Sequence, residues 1–227
     1  MKGVGARRGP KPKGKVRIQW SPNFAYAIGL IATDGCLSSD KRHIDFTSKE
    51  TEQIENFLRA LGISNLSVGR KTSGGHRRRR YLRVQIGDVL FYRFLISIGF
   101  TSAKSKTLGA ISIPRQYFFD FLRGVWDGDG CFYSYWDSRW RSSFMFYTTI
   151  ASASPAFIAW MQDEIHSRLR ISGHITCGKN NSVMQLKYAK ADSLKIIKKV
   201  YYSPTVLCLS RKRKKIFRVL TNRGLIK

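Results

Sequence analysis

The chain has 227 residues, with 41 Lys and Arg against 14 Asp and Glu, giving a formal net charge of +27 that implies strong, salt-sensitive attraction to a polyanion. With 43% apolar and 13% aromatic residues it can build a packed core, which excludes a disordered basic tail. No run is apolar enough for a membrane span, and the N-terminus lacks the apolar core of a secretory signal. Charge alone suits a general nucleic-acid binder, but also a ribosomal or membrane-surface protein. The four cysteines, Cys36, Cys131, Cys177 and Cys208, show no zinc spacing and no disulfide framework. Cys36 and Cys131 read as small, buried residues at strand starts. Together these features predict an intracellular protein, in the cytoplasm or nucleoid of a prokaryote or an organelle matrix, without a small-molecule cofactor.

Residues 1–18 are Gly, Pro and basic residues without an acid, which predicts a mobile arm. Ser21 then Pro22 starts a helix that stops at Gly35. Leu37 to Ser48 reads as a hairpin broken at 38–42. Ser48 and Thr51 are cap candidates for a helix carrying Ile54, Phe57, Leu58 and Leu61, with Gly62 as its stop. A second hairpin joins 66–70 to 81–86 through a Ser73-Gly74-Gly75 turn, and Asp88 caps a helix from Val89 to Ile98. The order then repeats: a helix ending near Gly130, a hairpin from Cys131 to Ser152 turning near Asp137, and a helix from Pro155 to Leu169. A hairpin from Gly173 to Tyr188 turning near Asn180, and a helix from Ala191 to Tyr201, complete it. The predicted fold is α+β: two pseudo-symmetric α-β-β-α-β-β-α repeats, 19–110 and 111–227, after the arm at 1–18. Each antiparallel sheet carries helices on one face and leaves the other open.

The repeat is sharpest at its first helix. Ala27-Ile28-Gly29-Leu30-Ile31-Ala32-Thr33-Asp34-Gly35 corresponds to Leu122-Arg123-Gly124-Val125-Trp126-Asp127-Gly128-Asp129-Gly130. In each copy a glycine, Gly29 or Gly124, lies four residues before a small residue, Thr33 or Gly128, so both fall on one helical face where two backbones can approach. An acid follows in the last turn, against the helix dipole, at a cost of roughly 0.3–1 kcal/mol. If the helices pack together, Asp34 and Asp129 end side by side. Two such carboxylates repel unless a cation or proton lies between them, which marks a candidate divalent-metal site.

These segments resemble the paired motifs of the LAGLIDADG homing endonucleases in their single-chain form. Ala32 stands where that family has its earlier, structural acid, kept in the second copy as Asp127, and Thr33 replaces the usual Ala or Gly. The resemblance implies a monomeric, site-specific endonuclease that hydrolyses both strands of a long asymmetric double-stranded DNA target and leaves short 3′ overhangs. It also implies an origin in a mobile intron or intein-like element. Asp34 and Asp129 would be catalytic and hold Mg²⁺, with Mn²⁺ as a substitute, helped by the carbonyls of Thr33 and Gly128. By the same resemblance a basic residue lies near each scissile phosphate; Lys106 and Lys212 align best, with Lys104 and Arg211 competing for the role. Ser48 and Ser152 order water or, more simply, cap their helices.

The open sheet faces form the expected DNA surface, since strands enter the major groove, where Arg reads guanine and Gln reads adenine. The pool is Arg70, Arg77, Arg79, Arg83 and Gln85 in the first half, and Tyr135, Arg139, Arg141, Lys179, Gln185 and Lys187 in the second. Arg211 and Arg213, in the basic run 211–215, are expected phosphate contacts. An intron-RNA maturase or a non-cleaving DNA-binding regulator on the same fold is the alternative, with intron RNA as a possible partner. The four histidines form no metal spacing.

Overall fold

A computed structural model describes residues 14–72, 80–102, 104–178 and 182–226. The arm at 1–13 and both expected turns, 73–75 and 180–181, lie outside them. The first half runs α1 (Pro22–Asp34), β1 (Gly35–Leu37), β2 (His43–Ser48), α2 (Thr51–Leu61), β3 (Gly69–Thr72), β4 (Arg80–Gly87), α3 (Val89–Ser97) and a single turn α4 (Lys104–Thr107). The second runs α5 (Phe118–Asp129), β5 (Gly130–Trp136), β6 (Phe144–Ser152), α6 (Pro155–Leu169), β7 (His174–Cys177), β8 (Met184–Ala189), α7 (Lys190–Val200) and α8 (Ser210–Thr221). Each half holds a four-stranded antiparallel sheet, in the orders β1-β2-β4-β3 and β5-β6-β8-β7. The predicted α+β double repeat is therefore the architecture, with a helix added at the end of each half, the single turn α4 in the first and α8 in the second. The charges of 211–215 hide α8 in the sequence, yet Ile216 and Leu220, four residues apart, are fully buried beneath them.

Helices α1 and α5 form the joint between the halves. Ser21 caps α1 by accepting from the Phe24 amide at 3.1 Å, and Pro22 supplies the first turn. Every residue from Phe24 to Ala32 is buried, because α1 faces its own sheet on one side and α5 on the other. The contact is backbone on backbone. A Cβ on Gly29 would lie 2.1 Å from the Phe121 carbonyl oxygen, and one on Gly124 would lie 2.1 Å from that of Tyr26. One turn on, Thr33 Oγ1 occupies the space that a Cβ on Gly128 would need, 2.0 Å away, so the threonine in one copy is accommodated by glycine in the other.

Buried polar groups tie this joint to the C-terminal segment. Asp127 accepts from the Tyr26 hydroxyl and the Leu209 amide, each at 2.7 Å, linking α1, α5 and the start of α8. Arg123, with no exposed surface, donates to Asp120 at 2.8 Å and to the carbonyls of Leu207 and Val200. At the other end, Asp88 caps α3 and also accepts the amide of Val16 at 2.9 Å. Val16 is buried, so the chain is already held at the end of what the sequence reads as a mobile arm.

Strand alternation corrects one expectation. Cys36 and Cys131 are exposed, not buried, because Leu37 and Phe132 take the core-facing positions beside them and turn the thiols to the open face.

In an exposed helix Gly→Ala stabilises by roughly 1 kcal/mol. At Gly29 or Gly124 the sign should reverse, because the neighbour is backbone and cannot yield. Gly29→Ala and Gly124→Ala are each expected to cost about 3 kcal/mol or more by urea denaturation, as severe overpacking does.

Candidate active site and nucleic-acid interface

The two motif helices deliver their terminal carboxylates to one place. Asp34 Oδ2 would lie 2.8 Å from a Cβ on Gly128, the residue next to Asp129. Asp34 is half-buried and Asp129 more open. Burial raises the pKa of Asp34 to about 6, and the neighbouring charge of Asp129 adds to the rise, opposed by hydrogen bonds from Thr33 and Gln53 and by Lys104. Burial also raises that of Asp129, opposed by Lys104 and Lys212. Unlike a stability device, the pair is destabilised as two anions.

A lysine closes off each helix end. Lys104 Nζ donates to the carbonyls of Ala32 at 2.8 Å and Thr33 at 2.9 Å. In the second half Lys212 Nζ donates to the corresponding carbonyls, Asp127 at 2.8 Å and Gly128 at 3.2 Å, and also to Trp126 and Gly130. A cation at a helix C-terminus is favoured by the dipole, and each ammonium bears on both acids. Burial lowers both lysine pKa values. Thus Lys104 is the structural counterpart of Lys212, whereas Lys106 is exposed and two residues removed from that position. Spacing alone does not separate the two, since Lys104 precedes Leu108 and Lys106 precedes Ala110 by four residues; burial of Leu108, like that of Ile216 after Lys212, is what sets Lys104 in place.

The sequence reading also missed Gln53. From the buried face of α2, Gln53 Nε2 donates to Asp34 Oδ2 at 3.1 Å, while its Oε1 accepts from Ser48 Oγ at 2.7 Å. Ser48 also accepts the Glu50 amide, so it orders the helix entry and orients Gln53 together. The halves differ here. Five residues after Ser152, where Gln53 follows Ser48, stands buried Phe157, and among the described residues the Asp129 carboxylate accepts no hydrogen bond.

A divalent cation at the two carboxylates would also meet the adjacent carbonyls of Thr33 and Gly128, each of which already accepts a lysine ammonium. Among the described residues no group of three or more His, Cys, Asp or Glu gathers anywhere. All these donors are hard oxygens, few in number, which suits a cation that keeps much of its water or takes phosphate oxygens. Burial raises both acids, and the charge of Asp129 adds to the rise at Asp34; a cation beside them would offset both effects.

The expected interface residues are distributed unevenly. Arg83, Gln85, Tyr135, Gln185 and Lys187 lie on the open faces, since their positions alternate with core-facing Val84, Ile86 and Leu186. Arg83 is engaged by Asp45 through Nε at 3.0 Å and Nη2 at 2.8 Å. Arg70 pairs with Leu82, on the helix-facing side of an edge strand, and Lys71, opposite Tyr81, takes the open face instead. Arg139 and Arg141 are exposed in the loop between β5 and β6, beyond the sheet. Arg211 pairs with Glu50, and Arg213 donates to the Pro204 carbonyl and lies over Phe217, so both support α8 packing. Arg77, Arg79 and Lys179 lie outside the described residues.

Two sheets saddled on paired helices that end in adjacent acids define a single-chain, two-repeat LAGLIDADG fold. Solved structures share it. The chain matches full-length DUF199/WhiA from Thermatoga maritima at 17% identity and TM-score 0.56, over 91% of this chain and 63% of that one. It matches the LAGLIDADG homing endonuclease I-LtrWI bound to target DNA at 11% identity and TM-score 0.58, over 89% and 90% of the two chains. It matches the homing endonuclease I-DmoI in complex with DNA and Ca at 13% identity and TM-score 0.55, over 86% and 97%. No protein-family model and no curated protein matches the sequence.

Because folding raises the pKa of Asp34 to about 6, the folded state holds that proton more tightly than the unfolded chain. The ionised carboxylate therefore opposes folding above about pH 6, and the cost vanishes as pH falls toward 4. Asp34→Asn is expected to raise the melting temperature by about 3–6 °C at pH 8 with chelator present. The difference from the parent should shrink to about half by pH 5 and close only below about pH 4, as read by calorimetry.

Proposed function

We propose that the protein is a divalent-metal-dependent homing endonuclease that cuts both strands of a long, asymmetric DNA duplex and leaves 3′ overhangs. The observation that carries this reading is the adjacent acid pair, Asp34 and Asp129, each backed by a lysine, buried Lys104 and half-buried Lys212, on the carbonyls of its own helix end. The likeness to endonucleases solved on DNA supports a duplex partner, and the I-DmoI complexes with Ca and with Mn support a divalent cation. A DNA-binding regulator is the second reading, left open because the fold occurs in DUF199/WhiA as well as in homing endonucleases. A pure binder, however, has no use for two repelling carboxylates beside phosphate.

In this scheme Asp34 and Asp129 hold the cation, with Mg²⁺ the fitting choice, and the carbonyls of Thr33 and Gly128 border it. A bound divalent cation polarises the scissile phosphate and lowers the pKa of nearby water. Gln53 fixes the Asp34 carboxylate and is itself fixed by Ser48, so the acid is oriented before DNA arrives. Lys104 and Lys212, held at the helix ends and weakly hydrated, offer positive charge to the phosphate as its oxygens gain charge. The protein acts as a monomer because one acid comes from each repeat.

Asp34→Asn and Asp129→Asn should each abolish double-strand cleavage in Mg²⁺ while affinity for the target stays within about threefold. Undiminished cutting by both variants would remove the acids from the mechanism. Lys104→Ala is expected to slow cleavage by about 10²-fold or more, whereas Lys106→Ala should change it less than threefold. The opposite ranking would return the role to Lys106.

A further inference from the structure

The open faces of the two sheets are chemically different. In the first half Cys36 pairs with Asp45, which pairs with Gln85, and His43, Thr47, Arg83, Lys71 and a lone tyrosine, Tyr81, complete a mostly polar, charged surface. In the second half the corresponding places hold Thr149 opposite Cys131 and Tyr147 opposite Tyr133. Strand β5 has 7 residues against 3 in β1, and the extra length adds Tyr135, paired with Met145.

Tyr133, Tyr135 and Tyr147 form one slab. Their ring centroids are 5.2–6.4 Å apart and their planes agree within 6–14°. Tyr135 is 45% exposed. The hairpin does not depend on this ladder, because Phe132 and Phe146, with centroids 6.1 Å apart, already pack it on the helix-facing side. Exposed apolar surface costs solubility, yet here it lies in a chain of +27 charge, with Lys187 on the same face and Arg139 and Arg141 at the adjoining tip.

We infer that this tyrosine–methionine slab is an uncharged reading surface for thymine, making apolar contact with C5-methyl groups in the major groove of one half of the target. The inference rests on the endonuclease reading, which lays duplex DNA across the sheets. Thymine is the one base whose major-groove edge carries a methyl group, and apolar side chains recognise it by excluding water from it. The rings are stacked on one another, so little freedom is lost when DNA arrives. Among the described residues the first sheet offers a single tyrosine, Tyr81, without a stacked partner, and otherwise charged and amide groups. One half-site should therefore be thymine-rich, with a methyl readout that adds nothing to the salt dependence set by phosphate contacts in both halves.

The test begins by selecting bound duplexes from a random library, then replaces thymine with uracil in each half-site separately. Loss of each contacted methyl is expected to weaken binding about three- to fivefold, on one half-site only. In Tyr135→Ala and Tyr147→Ala, both surface changes that leave the core intact, the uracil penalty should disappear while the slope of affinity against salt stays unchanged. A half-site without thymine, no uracil penalty on either half, or the same penalty in the tyrosine variants would each overturn the thymine assignment and leave the endonuclease reading standing. A library that yields no duplex at all would overturn both.

Discussion

Everything at the site depends on how closely α1 approaches α5. A helix pair separated by ordinary side chains keeps its axes 8–10 Å apart, and glycine at the crossing allows less. Here the approach is so close that the space for a Cβ on Gly29 or Gly124 is taken by carbonyl oxygen. The crossing sets the position of the last turns, and the last turns carry Asp34 and Asp129. A small separation of the helices would move the acids apart, remove the contribution of Asp129 to the raised pKa of Asp34, and leave the lysines with carbonyls but no shared charge to balance.

The joint is asymmetric, and the asymmetry is internally compensated. The second copy keeps an acid at Asp127, which is buried, accepts from Tyr26 and Leu209, and is raised to about pKa 6 by burial. The first copy has Ala32 in that place. One carboxylate suffices because its partners come from both sides: a hydroxyl of α1 and an amide at the start of α8. That amide also precedes Lys212 by three residues, so a structural acid and the placement of the second basic group are parts of one arrangement. Arg123 anchors the same segment from below, through the carbonyls of Leu207 and Val200.

The two halves share a backbone plan while diverging in chemistry. Gln53 holds Asp34 where Phe157 stands beneath the second sheet, and charged pairs line one open face where tyrosines line the other. A duplicated unit permits this because the joint and the sheet orders constrain only the buried positions. Open-face residues answer to solvent or a ligand, so each half is free to acquire its own.

That the two helices meet and bring the acids together was decided by packing; the sequence by itself determined the double repeat, the helical face shared by each glycine and the small residue after it, and the matching last-turn positions of Asp34 and Asp129. Each follows from local patterns: the 3.6-residue period, the cap at Ser21, and glycine four residues before a small side chain. Only the tertiary structure decided that Lys104 rather than Lys106 reaches the helix end, that Gln53 orients Asp34, and that Arg70 yields the open face to Lys71. Those depend on register and on the angle of short segments, where a one- or two-residue shift turns a side chain to the other face. Helix α8 was hidden for a related reason: its surface charges dominate the composition, and the burial of Ile216 and Leu220 exists only once the segment meets the rest of the fold.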